Sequence, residues 1–111
     1  MDPATGEKIG TVPEMGTEET RRGIEAANKA WRYWRDLSAK QRGDILHRWF
    51  ELMTEHTDDL ALIMTTEQGK PLAEARGEIA YAASYLEWYA EEGKRAYGDV
   101  IPTNAPTQRV V

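Results

Sequence analysis

Two histidines, one pair of adjacent aspartates, two serines and a Gly-Lys-Pro triplet are the places where this chain could do chemistry. His47 and His56 stand nine positions apart, which on a continuous helix turns them about 180° from each other. They do not share a metal, and each reads as a surface or boundary histidine. Asp58 and Asp59 could be an acid–base pair, but adjacent carboxylates at a helix start suit the helix dipole better. Gly69-Lys70-Pro71 invites a phosphate-loop reading, which fails twice. Met64 stands where the first glycine belongs, and Pro71 replaces the Ser or Thr. No GxGxxG run occurs, and neither Ser38 nor Ser84 lies in a GxSxG elbow. In AWRYWR, residues 30–35, tryptophans interleave with basic residues, as in surfaces that stack bases. Helical spacing instead puts Trp31 and Trp34 on a core-facing side and leaves Arg32 and Arg35 in solvent. There is no cysteine, which excludes disulfides, thiolate metal sites and a Cys nucleophile within these residues. Read alone, the residues define no catalytic, cofactor-binding or metal site.

The elements that carry these residues belong to one small domain, residues 1–111. A hydrophobic content of 41% with 30% charged residues is that of a globular chain. The net charge of −5 disfavours nucleic acid and anionic membrane as partners. MDPATGEKIG has no apolar signal core, and no apolar run approaches a membrane span. The expectation is a cytoplasmic protein. Basic residues crowd positions 21–48 and acidic ones dominate after Trp49, which reads as complementary solvated helix faces.

DPATG at residues 2–6 is a turn signal, with Pro3 presetting φ and Gly6 permitting a positive one. Residues 8–12 suggest a short strand closed by Pro13. Thr17 reads as an N-cap followed by Glu18 and Glu19, and Ile24, Ala27, Trp31 and Trp34 mark one face of a helix ending near Asp36. Ser38 with Gln41 makes a capping box for a second helix. Thr57 with Asp58 and Asp59 caps a third. Gly69 closes it, and Pro71 opens the fourth at its first position. The joints are short, so the helices pack as neighbours. The fold class is mainly α: four packed helices with short terminal strands at residues 8–12, 100–101 and 109–111.

The fourth helix, reaching from about Pro71 to Tyr97, carries two apolar faces. Leu72, Ala75, Ile79, Ala82, Ala83, Leu86, Tyr89, Ala90, Gly93 and Tyr97 fall in one broad stripe, expected to lie on the other three helices. Roughly opposite lie Gly77, Tyr81, Ser84, Tyr85 and Trp88, a second strip that needs a cover of its own.

DPATGEKIGTVP, the EAANKAWRYWR helix and above all the long GKPLAEARGEI…EEGKR…GD.IP run resemble the N-terminal part of NAD(P)-dependent aldehyde dehydrogenases. Within that family the last segment is most similar to succinate-semialdehyde dehydrogenases. The resemblance spans the whole chain and is weak only at Asn104–Gln108. It implies an N-terminal fragment, inactive alone. Its parent would oxidise an aldehyde to the acid through a Cys thiohemiacetal and hydride transfer to NAD or NADP. The oxyanion-binding Asn, the glycine-rich cofactor region, the general-base Glu and the Cys nucleophile of the family correspond to nothing in these 111 residues. By the same resemblance Gly77, Tyr81 and Ser84 match the side of the fourth helix that lines the substrate tunnel. The alternative is that Gly77 permits close helix packing and Tyr81 is a half-buried aromatic. The partner that covers the second strip is then the remainder of the parent enzyme or, for the chain alone, another copy in a homo-oligomer. A competing reading is an independent helical interaction module.

Overall fold

The structure, a computed structural model, describes residues 1–108. It contains four helices: α1 (Thr17–Asp36), α2 (Ala39–Glu55), α3 (Thr57–Gln68) and α4 (Leu72–Glu92), the last followed by a 3-10 turn, Gly93–Arg95. The mainly α class is as the sequence indicates. The strand expected at 109–111 lies outside the described residues. Residues 8–12 form no strand, and Ile101 makes only an isolated bridge. A strand is held by ladder hydrogen bonds to a neighbour, and the described residues offer residues 8–12 no edge to pair with. Val12 accordingly stands 89% exposed.

Helix ends follow local chemistry, with three corrections. Ser38 Oγ accepts from Gln41 N at 3.3 Å while Gln41 Oε1 accepts from Ser38 N at 2.9 Å, the reciprocal box expected for α2. Gly69 closes α3 in the left-handed region, φ 77°, where only glycine sits without strain. Thr17 is not the cap of α1. Gly16 is, and Glu19 Oε2 reaches back to accept from Gly16 N at 3.0 Å. Thr57 does not cap α3 either. It begins that helix and turns its hydroxyl back onto α2, donating to Thr54 O at 2.9 Å and Met53 O at 3.2 Å. Freed carbonyls at a helix end need donors as much as freed N–H groups need acceptors, and Thr57 supplies one. Pro71 precedes α4 instead of starting it.

The core lies where α4 crosses α2 and α3. Ala61 on α3 and Ala75 and Ile79 on α4 are buried, with Met53, Leu60, Met64 and Leu72 packed around them. Ala83 and Ala90 continue the buried line along α4. Ala82, Tyr89 and Tyr97, assigned to this stripe by angle, are exposed, so the true seam is narrower than the periodic face. Small residues make the approach close. A Cβ built on buried Gly43 of α2 would stand 2.8 Å from the Ala90 carbonyl oxygen of α4. Because that obstacle is backbone, Gly43→Ala has to push two helices apart. Overpacking of this kind costs about 1–3 kcal/mol. The variant is expected to melt several degrees lower by circular dichroism. An unchanged melting curve would show that the helices are free to separate there.

Two ion pairs tie α4 to what precedes it. Arg76 Nε donates to Asp58 Oδ1 at 2.7 Å, and Lys70 Nζ to Glu78 Oε1 at 2.6 Å. Both are exposed enough that solvent screens most of their worth. The opening turn docks here as well. Asp2 O accepts from Gly6 N at 2.8 Å, and Pro3 packs against the Gly69 joint.

The largest departure from expectation is α1. It was expected to lie under the α4 stripe, but α4 packs on α2 and α3, and α1 has no buried residue. Ile24 is 65% and Trp31 55% exposed on the face meant for the core. A helix of this amphipathicity folds against something, and periodicity does not say what. The consequence is an elongated molecule. The radius of gyration is 21.2 Å, against about 13 Å for a compact domain of this length. The chain presents 9411 Å2 of surface, where about 6,200 Å2 is usual for its mass.

Candidate functional site

The side chains singled out from the sequence sit on the face of α4 turned away from its seam. Gly77, Tyr81 and Ser84 advance by four and three residues, so they share one side of the helix. Space around Gly77 is open: nothing lies within 4 Å of where a Cβ would stand. The close-packing alternative for Gly77 therefore has no support among the described residues. Tyr81 is 61% exposed, more than a half-buried aromatic. Its hydroxyl stands 2.5 Å from that of Tyr85, one turn on, and the two rings meet edge to face at 5.1 Å. Ser84 Oγ donates to the Tyr81 carbonyl at 2.7 Å, so this hydroxyl is engaged by its own helix.

Tyr81 separates two shallow grooves. One, of about 610 Å3, is lined by Tyr81, Ser84, Tyr85, Trp88 and Arg95, whose guanidinium is held by Glu92 Oε2 at 2.5 Å. The other, of about 420 Å3, is lined by Lys70, Glu74, Gly77, Glu78 and Tyr81. Thus Tyr81 and Ser84 share a groove and Gly77 lies across Tyr81 from it. Among the residues predicted for the site, Tyr85 was missing. Its spacing of four from Tyr81 was the available signal.

The hydroxyl pair has an electrostatic consequence. The hydrogen bond with Tyr81, and then repulsion between the two phenolates, hold the Tyr85 hydroxyl above the ordinary tyrosine value. A raised folded value stabilises the fold at neutral pH, and that contribution is lost as pH rises through it, above about 10. Tyr81→Phe is therefore expected to bring Tyr85 down, read by NMR titration of its ring carbons. A titration curve that does not move would break the pairing.

Among the described residues nothing resembles a dinucleotide site. Phosphate recognition in α/β folds uses the ends of parallel strands and an unobstructed helix N-terminus. Among the described residues there is no parallel sheet. The first turns of α1, α3 and α4 carry Glu18 and Glu19, Asp58 and Asp59, and Glu74, all repelling an anion. The N-terminus of α2 is closed by its capping box. Nor do three His, Cys, Asp or Glu side chains gather to hold a metal ion among these residues. His47 instead faces Glu51 on its own helix at 3.5 Å, and His56, between α2 and α3, faces Asp59 of α3 at 3.8 Å. Among them, too, no helix is long and apolar enough to cross a membrane.

The Aldehyde dehydrogenase family profile matches residues 1–111 throughout, and the chain belongs to that family. It is 68% identical over 110 residues to glutarate-semialdehyde dehydrogenase of Pseudomonas putida, covering 99% of this chain and 23% of that protein. To succinate-semialdehyde dehydrogenase [NADP(+)] of Escherichia coli it is 61% identical, with the same coverage. The crystal structure of succinate-semialdehyde dehydrogenase from Burkholderia pseudomallei superimposes with a TM-score of 0.90 at 65% identity, over 97% of this chain and 22% of that one. The chain thus spans about a quarter of the length of the relatives it matches.

Proposed function

We propose that these 111 residues are the N-terminal part of an aldehyde dehydrogenase that oxidises a dicarboxylic semialdehyde, succinate semialdehyde first, to the acid with NAD(P)+. The observation that supports this reading is identity of 61–68% to relatives named for such substrates, sustained over 99% of the chain. In this reading the chain is a single partial domain, cytoplasmic like the enzyme it belongs to. The rest of the parent supplies nucleophile, general base and cofactor site. Gly77, Tyr81 and Ser84 line the way to the reacting carbon. The open space at Gly77 and the exposed Tyr81 hydroxyl suit a wall that a substrate passes. Without the parent, copies of the chain associate with one another.

The test is a chimera. These residues replace the matched segment of the Escherichia coli enzyme, and the product is assayed with succinate semialdehyde and NADP+. Turnover close to that of the native enzyme is expected. A chimera that folds but turns over nothing would sink the proposal.

A further inference from the structure

The chain holds five tyrosines. Spacing of four along α4 sets up two pairs among them, Tyr81 with Tyr85 and Tyr85 with Tyr89. Only the first closes among the described residues. The Tyr81 and Tyr85 hydroxyls stand 2.5 Å apart, and their rings meet at 5.1 Å and 82°. Tyr89 lines the same groove, but no ring contact joins it to either. Tyr81 and Tyr85 are 61% and 47% exposed, so a diffusible oxidant reaches both. We propose that Tyr81 and Tyr85 form an oxidative modification site, at which a peroxide-fed one-electron oxidant joins the two rings into a dityrosine staple within one chain.

A phenol that loses one electron gives its hydroxyl proton to water, and the radical left behind carries much of its spin on the carbons ortho to oxygen. Touching hydroxyls therefore bring ortho carbons of the two rings close together. Two such radicals join by one carbon–carbon bond. The ring hydrogens at the joined carbons then move to the oxygens, restoring both phenols. The chain loses two hydrogen atoms in all, and one hydrogen peroxide accepts them and becomes two waters. The rings must leave their edge-to-face arrangement to couple, which exposed side chains do within nanoseconds. Held side by side, they need no diffusive encounter, the advantage of reactants already gathered. No cysteine is present to repair the radicals by giving up a thiol hydrogen. Once closed, the staple fixes two side chains that line the larger groove.

The experiment treats the 111-residue chain with hydrogen peroxide and a haem peroxidase, at low micromolar concentration where copies stay apart. Dityrosine fluorescence and intact mass are followed together. Fluorescence is expected to rise with a product of single-chain mass that lacks two hydrogens. Tyr81→Phe and Tyr85→Phe are each expected to lower its yield about tenfold, since either leaves no neighbouring phenol in contact. Tyr89→Phe is expected to leave the yield unchanged. All three variants keep an aromatic ring at an exposed position, and circular dichroism checks that helix content holds. A yield that ignores Tyr81→Phe overturns the proposal, as does loss of the product in Tyr89→Phe. So does a product found only at doubled mass, which places the bond between chains, or oxidation that adds oxygen and forms no dityrosine.

Discussion

Given succinate semialdehyde and NAD+ or NADP+, the isolated 111-residue chain is expected to reduce no cofactor above a buffer blank. Covalent oxidation of an aldehyde needs a nucleophile that is potent near neutral pH and a base to prepare it. No cysteine is present, and neither Ser38 nor Ser84 has a base beside it: Ser38 is spent on the cap of α2 and Ser84 on the Tyr81 carbonyl. The cofactor fails independently. Acidic first turns on three helices and a closed one on the fourth leave no phosphate seat among the described residues. Calorimetric titration is therefore expected to show no saturable binding of NAD+ or NADP+ below millimolar concentration. The two measurements fail separately. Turnover would mean a nucleophile other than the family's thiol, and binding without turnover would mean a dinucleotide site these helices do not show.

What the sequence made legible was local. The Ser38–Gln41 box, the left-handed Gly69 and the turn at Asp2–Gly6 are each decided within a few residues, and each is in place. Errors at the other caps are of the same local kind. Thr17 and Thr57 are good capping residues, but Gly16 is served by Glu19, and Thr57 finds the carbonyls of α2 closer. What periodicity could not decide is which apolar face meets which. The face of Ile24, Trp31 and Trp34 is as regular as the seam of α4, yet only the second has a partner in the described structure. Amphipathicity states that a cover exists without locating it. The strand at residues 8–12 fails for the related reason that a strand is a property of two segments. Resemblance reached further than residues did. Helical spacing marked that side of α4 as a second strip, but Gly77, Tyr81 and Ser84 carry no catalytic pattern, and only the family resemblance gave them a role. Tyr85, whose hydroxyl touches that of Tyr81, was in the strip by spacing but not among the site residues.

Deprived of a covering partner, the chain is expected to run in light scattering as a dimer or larger at high micromolar concentration. Tyr81, Tyr85 and Trp88 form a contiguous exposed strip along about two turns of α4, and patches of this kind are seldom left open on monomers. Burying about 600 Å2 of apolar surface over two copies, at about 25 cal/mol per Å2, gives roughly 15 kcal/mol gross. Lost freedom takes back about 4–15 kcal/mol. A mid-range loss leaves a dissociation constant between micromolar and millimolar. The association is therefore weak, and concentration decides whether it is seen. Trp88→Glu puts a carboxylate where the contact must lose water, which no hydrogen-bond partner on the strip offsets. It is expected to weaken association at least tenfold while helix content holds, since the side chain is exposed in the single chain. A clean monomer at high micromolar concentration would rule the association out. A dimer indifferent to Trp88→Glu would move the contact off α4, with the exposed α1 face of Ile24 and Trp31 the next to test by Trp31→Glu.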